Sequence, residues 1–162
     1  MEIKPVIRSD IPAIREIYNE VLRNTNSIYR EVEASFEDRY AWFDGKTQEG
    51  FPIFGAYEGE RLIGYASYGV WRSAQGYKKT VELTIHIEKP YRGKGVGSLL
   101  MRSLIEQAED DGFHAMIAAI DSENQGSLDF HKKFGFFESA RMPEVALKNG
   151  KWLTLVFMQK LL

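Results

Sequence analysis

The sequence predicts a mixed α/β domain with a mostly antiparallel sheet, on three observations. Strand-like and helix-like segments interleave in the order β-α-α-β-β-β-α-β-α-β-β. A tight turn, Glu58-Gly59-Glu60, joins two strand segments as a hairpin in the first half. A single strand-helix-strand unit follows later, and such a unit makes its two strands parallel. The expectation is a central sheet of about six to seven strands flanked by about four helices.

In chain order, Ile3 to Arg8 reads as a short strand. Ser9 and Asp10 offer helix caps, with Pro12 in the first turn. Ile14, Ile17, Tyr18, Val21 and Leu22 then recur at helical spacing. Asn24 to Ser27 is a polar break. Ser35 with Asp38 makes a capping arrangement for a second helix carrying Phe36, Tyr40 and Phe43. Phe51 to Tyr57 and Arg61 to Val70 are the hairpin strands. Thr80 to Glu88 alternates strictly, with Val81, Leu83, Ile85 and Ile87 on one face and Glu82, Thr84 and His86 on the other. Ser98 to Asp110 is a helix with Leu99, Leu100, Leu104 and Ala108 facing inward, and Gly112 ends it. Met116 to Ile120 is continuously apolar, as a strand buried on both faces is. Asn124 to Phe134 is a short helix closed by Gly135. Two strands, near Phe136 to Arg141 and Trp152 to Gln159, finish the sheet.

Composition narrows the function classes. The 162 residues fit one domain, spanning 1–162, with no repeat or linker. Hydrophobic content of 44% and charged content of 27% are those of a globular chain. A net charge of −2 gives no general attraction for nucleic acid or an anionic membrane. The absence of cysteine excludes disulfides, thiolate catalysis and cysteine zinc sites, and no metal is expected. No apolar run is long enough to span a bilayer, and the N-terminus lacks a secretory apolar region, so a cytoplasmic location is the default expectation.

Between the alternating strand and the next helix lie Arg92, Gly93, Lys94, Gly95, Val96 and Gly97. A helix start offers unpaired N–H groups and partial positive charge, and glycines let a phosphate approach the backbone. The segment therefore reads as a pyrophosphate cradle, with Arg92 as an added donor. Spacing alone also permits a plain strand-to-helix turn. A P-loop would need a Lys before Ser98, where Gly97 stands, and a dinucleotide fold would need G-x-G-x-x-G after the first strand.

Arg92-x-x-Gly95-x-Gly97 resembles the acetyl-CoA signature of the GNAT superfamily of N-acetyltransferases. Stretches along almost the whole chain resemble the phosphinothricin/methionine sulfoximine acetyltransferase group more closely. They include Gly64 to Tyr68, Thr80-Val81-Glu82, Ala118 to Asn124, Ser127 with His131, and Trp152 with Phe157-Met158-Gln159. The resemblance implies a GNAT-like sheet and acetyl-CoA as co-substrate. It implies cofactor contacts from Ile85, His86 and Ile87, from Arg92 through Ser98, and from Asn124, Ser127 and Lys133. It places Arg72, Ser73 and Ala74 around the substrate opposite Glu82, Leu83 and Thr84, with Tyr29 and Arg30 nearby.

Transfer to an amine requires a neutral amine, a polarised thioester carbonyl and a proton for the leaving thiolate. Glu82, on the polar face of the strand leading into the loop, is the candidate base. His131, seven residues after Asn124, is the candidate acid or positioning group. The implied acceptor is a small amino acid such as methionine sulfoximine, methionine sulfone or phosphinothricin, in a detoxifying or herbicide-resistance role. Ser73-Ala74 is smaller than the pairs of some relatives, and Thr154 replaces an acid that many carry. Other readings are transfer to another small amine or a protein N-terminus, and a non-catalytic acyl-CoA sensor. A homodimer is expected, with Phe36-Tyr40-Trp42-Phe43 and Trp152-Phe157 available to a partner.

Overall fold

A computed structural model describes residues 1–162. Its regular elements are β1 (Glu2–Pro5), α1 (Ile11–Asn24), α2 (Phe36–Glu49), β2 (Ile53–Glu58), β3 (Arg61–Val70), β4 (Thr80–Ile87), α3 (Val96–Asp110), β5 (Ala115–Asp121), α4 (Gln125–Lys133), β6 (Phe137–Lys148) and β7 (Lys151–Leu161). The seven strands form one sheet in the order β1-β2-β3-β4-β5-β7-β6. Every pairing is antiparallel except β4 with β5. The predicted fold class and the βαβ unit are both present.

The strict alternation of β4 divides the molecule into two layers. Val81 and Leu83 join Leu100, Leu104, Ala108, Met116 and Leu128 in the larger core, beneath α3 and α4. On the opposite face Ile11, Ile14, Ile17 and Tyr65 form a smaller core under α1 and α2. Tyr40, Trp42 and Phe43 pack against that second core. These three aromatics therefore fill the protomer, which corrects the expectation that they face a partner, whereas Phe36 is exposed.

The parallel pair carries the feature that shapes the site. β4 and β5 pair only at Thr80↔Ala115, Val81↔Met116 and Glu82↔Ile117. Beyond these, β4 stays with β3 as far as Ile87, and β5 stays with β7 as far as Asp121. The two strands part, leaving the β4 main chain after Glu82 unpaired on its β5 side. Ala119, expected to be buried on both faces, is exposed because β4 has already diverged there.

Local chemistry explains most boundaries. Ser35 Oγ accepts from the Asp38 amide at 3.0 Å and caps α2, and Gly50 closes that helix at φ 77°. Ser35→Ala is expected to cost about 1 kcal/mol in urea unfolding. Asp10 stands at the start of α1 without capping it. Its carboxylate instead accepts from the Ile7 amide at 2.9 Å and the Tyr57 hydroxyl at 2.7 Å. The first strand stops at Pro5, followed by a single 3-10 turn at Arg8–Asp10. α3 begins at Val96 rather than Ser98, and Leu99 faces outward while Leu100 and Met101 are fully buried. β6 and β7 are longer than expected, at 12 and 11 residues. Asn149 and Gly150, at φ 49° and 76°, make the tight two-residue turn between them.

Candidate active site

Where β4 and β5 part, a cleft of about 660 Å³ opens. Ile85, His86 and Ile87 line it from the strand, Gly93, Gly95, Gly97 and Ser98 from the loop, and Asn124, Ser127 and Lys133 from the far side. Gly93 and Gly95 have φ of +74° and +86°, a region that costs side-chain-bearing residues about 1–2 kcal/mol. The amides of Ser98 and Leu99 bond to Gly95 O, whereas those of residues 93 to 97 have no partner within the protein. A Cβ at Gly97 would stand 3.2 Å from Ile87 Cδ1 and 3.4 Å from Phe130 Cζ, so glycine keeps this wall open. A helix start with several unbonded amides fits a pyrophosphate.

Arg92 is differently engaged from its expected role. Its Nε donates to Ile87 O at 2.9 Å, and its NH2 pairs with Glu20 of α1. The guanidinium thus ties the loop to β4 and α1. Lys94 is exposed near the Tyr91 ring, and Val96 is wholly buried in the core.

A second cavity, of about 450 Å³, meets the cleft at Ile85, His86, Asn124, Ser127 and His131. Glu82, Leu83 and Thr84 line it from β4. Burial raises the Glu82 carboxyl pKa, and the Lys46 ammonium opposes that rise. His86 lies edge-on to Tyr18 and Tyr65, with ring centroids at 6.2 and 5.6 Å. Burial, with Arg39 and Arg92 adding, pushes its imidazole down to about 4, so it is neutral at pH 7.

Asn124 caps α4 by accepting from the Ser127 amide at 3.1 Å, and its Nδ2 reaches Ser27 Oγ at 3.4 Å. One turn on, His131 Nδ1 lies 2.7 Å from Ser127 O. A carbonyl only accepts, so Nδ1 carries the proton and Nε2 presents a lone pair. That Nε2 is buried with no partner. Phe130 and Phe136 flank the ring edge-on, each with centroids 5.3 Å away, and burial lowers its pKa.

The fold brings fifteen expected residues to the two spaces: Glu82, Leu83, Thr84, Ile85, His86, Ile87, Arg92, Gly93, Gly95, Gly97, Ser98, Asn124, Ser127, His131 and Lys133. Others stand apart. Arg72, Ser73 and Ala74 are exposed and line neither space, with Arg72 lying over the Trp71 ring. Tyr29 donates to Asp121 Oδ1 at 2.6 Å and Thr154 O at 3.2 Å, so it braces the cavity wall from behind. Burial and the Asp121 hydrogen bond raise its pKa. Arg30 is paired with Asp38 at 2.8 Å.

Sequence reasoning missed Tyr18, Arg39, Trp42, Tyr65 and Asp121, all of which line the cavity. Arg39 is 8% exposed, with its guanidinium 4.3 Å from the Tyr18 ring centre and 5.2 Å from that of Trp42. Its ion pair is with Asp38 at 3.5 Å, a carboxylate already shared with Arg30.

Comparison with known proteins places the fold in a family. Residues 11–136 match a family model described as Acetyltransferase (GNAT) family. An L-methionine sulfoximine/L-methionine sulfone acetyltransferase of Pseudomonas aeruginosa is 43% identical over 152 residues, 93% of this chain and 88% of that protein. A GNAT superfamily phosphinothricin acetyltransferase from Sinorhizobium meliloti, solved in complex with acetyl-CoA, superposes with a TM-score of 0.95. It is 31% identical and covers 99% of this chain and 88% of its own. A ribosomal-protein-alanine N-acetyltransferase from Brucella melitensis reaches 0.98 at 36% identity, with both chains fully covered. With its parted strands, its glycine loop of unbonded amides and this match over most of its length, the chain belongs to the acetyltransferase (GNAT) family.

Proposed function

We propose that the protein transfers the acetyl group of acetyl-CoA to the α-amino group of a small amino acid bearing oxygen-rich sulfur or phosphorus, such as methionine sulfone, methionine sulfoximine or phosphinothricin. One observation carries the reading: a half-buried carboxylate, Glu82, lines a cavity that joins the loop cleft side by side. Relatives named for these acceptors support the substrate class.

Acetyl-CoA supplies the thioester carbonyl and the thiol leaving group. Residues 93 to 98 would hold its pyrophosphate, and the unpaired β4 edge at Ile85 to Ile87 its pantetheine arm. Glu82 accepts the proton that the acceptor amine gives up, directly or through water, and its return to solvent balances the proton that the departing thiol takes from solvent. With Nδ1–H committed to Ser127 O, His131 offers a lone pair, which favours a positioning part over a proton donor. Arg39 adds positive charge to a cavity that also holds the Glu82 and Asp121 carboxylates, which suits an acceptor carrying both an amine and an oxyanion.

Free thiol release with these three amino acids tests the reading. No release with any of them, alongside release with other amines, would refute it. The Brucella neighbour favours a second reading, transfer to a protein N-terminal alanine, and an alanine-initiated peptide belongs in the same panel. Gly95→Ala, placing a Cβ at φ +86°, is expected to weaken acetyl-CoA binding about fivefold to thirtyfold by calorimetry, on a backbone cost of about 1–2 kcal/mol. Unchanged affinity would remove the loop from the cofactor site.

A homodimer belongs to the same proposal. Edge strand β6 is exposed almost throughout and carries Phe137, Met142, Val145 and Leu147, with Trp152 beside them on β7. An edge this long and apolar is normally covered. A monomer mass by light scattering would overturn it.

A further inference from the structure

The side-chain space at Gly69 is filled by an ammonium group. Gly69 of β3 lies directly opposite Glu82 of β4 in the antiparallel register. Side chains at opposed positions share a face, with Cβ atoms about 4.5–5.5 Å apart. A Cβ built at Gly69 would collide with Lys46 Nζ. Lys46 therefore reaches down from α2 and sets its ammonium where the cross-strand neighbour of Glu82 would stand. The ammonium is held there by donating to Tyr68 O at 2.9 Å and lies 5.4 Å from the Phe51 ring centre. Glycine at 69 is what leaves the room.

We propose that Lys46 is a positioning residue for acetyl transfer, whose ammonium, seated in the space left at Gly69, holds the Glu82 carboxylate ionised and in place. This rests on the reading of Glu82 as the base. Burial alone would favour the protonated acid, which cannot accept a proton. Lys46 is the charge that opposes burial at Glu82, and Glu82 and Glu49 together support the charge on Lys46, which burial otherwise disfavours. The remaining charged or titratable groups facing this cavity are Arg39 of α2, Tyr18 of α1, Tyr65 of β3, His86 of β4, Asp121 of β5 and His131 of α4. His86 is neutral at pH 7, and none of these groups joins Lys46 as a charge acting on the Glu82 carboxyl.

The test compares wild type with Lys46→Met, Lys46→Arg and Gly69→Ala. The alanine methyl displaces the ammonium without removing it, so the proposal stays testable if Lys46→Met fails to fold. The side-chain carboxyl carbon of Glu82 is followed by NMR against pH, with its signal assigned by its loss in Glu82→Gln. Lys46→Met and Gly69→Ala are expected to titrate at higher pH than wild type, and Lys46→Arg to resemble wild type. In step, kcat at pH 6 relative to pH 8.5 is expected to fall roughly fivefold to tenfold in the first two, the scale for losing an opposite charge at about 4–6 Å. A Glu82 titration unchanged in both variants overturns the proposal. Full kcat in Glu82→Gln would instead remove the base reading, while the NMR comparison would still decide whether Lys46 holds the carboxylate.

Discussion

Glu82→Gln is expected to lower kcat for acetyl transfer by about 10²–10⁴-fold, the range of a positioned general base, with acetyl-CoA affinity unchanged. The substitution keeps the shape and hydrogen-bonding reach of the side chain and removes only its capacity to take a proton. Glu82 points to the face opposite Val81 and Leu83, away from the large core, so no packing is lost. The wild-type rate should fall on the acid side as the carboxylate protonates. Because burial raises that pKa, the fall should lie at higher pH than for a solvated glutamate, and the variant should lack it. The sign for stability is the reverse. A carboxyl whose folded pKa is raised favours the fold when protonated and disfavours it once pH exceeds its unfolded value. The neutral glutamine should therefore melt no lower than wild type at pH 7. Thiol-release rates across pH, calorimetry with acetyl-CoA and a thermal melt check the three parts. A loss below about fivefold with the acid limb intact would reassign the base.

What the sequence made legible was local. Strict alternation in residues 80 to 88 placed Glu82 and His86 on one face and the core on the other, because period-two geometry leaves no alternative. Ser35 with Asp38 marked a helix start that forms as read. The glycines at 93, 95 and 97 marked a strand-to-helix turn able to meet phosphate. What stayed hidden came from long-range placement. Arg39 has the sequence appearance of a solvated helix cation, and only the packing of α2 against α1, with Trp42 edge-on to Tyr65 of β3, buries it beside Tyr18 and Trp42. Nothing local says that β4 and β5 part after three residue pairs, since that depends on β3 and β7 holding each strand. Arg92 shows a related limit. Its position was legible, but Glu20, which claims its guanidinium, lies 72 residues away. The Asn149-Gly150 signal for a tight hairpin turn was present in the sequence and would have extended both final strands.

Lys148→Met is expected to cost about 3 kcal/mol of stability and to raise KM for both substrates. Lys148 ends β6 beside the Asn149-Gly150 turn, yet it is 3% exposed. Its Nζ donates to Leu22 O at 2.9 Å, Thr25 O at 2.8 Å and Ile28 O at 2.7 Å. Leu22 lies in the last turn of α1, where unpaired carbonyls and negative dipole favour a cation. Thr25 and Ile28 belong to the segment after that helix, which with Ser27 walls both the loop cleft and the second cavity. One ammonium thus fastens the far hairpin to the segment that closes the site. Hydrogen bonds to a charged group contribute about 1.5–3 kcal/mol each, but burying the ammonium offsets part of their sum, which brings the net to about 3 kcal/mol. Burial lowers its pKa while the Glu31 carboxylate opposes the change, so the group sits in a balanced rather than a generous environment. Methionine fills similar volume and leaves three carbonyls without their donor, so the loss should exceed that of a surface lysine several-fold. Urea unfolding should report it, together with a melting temperature lower by roughly 6–12 °C for a chain of this size. KM should rise more than kcat falls, because the wall loosens while Glu82 and His131 keep their own anchors. An unchanged melt would mean that the segment after α1 holds its shape without the ammonium, and KM should then stay unchanged too.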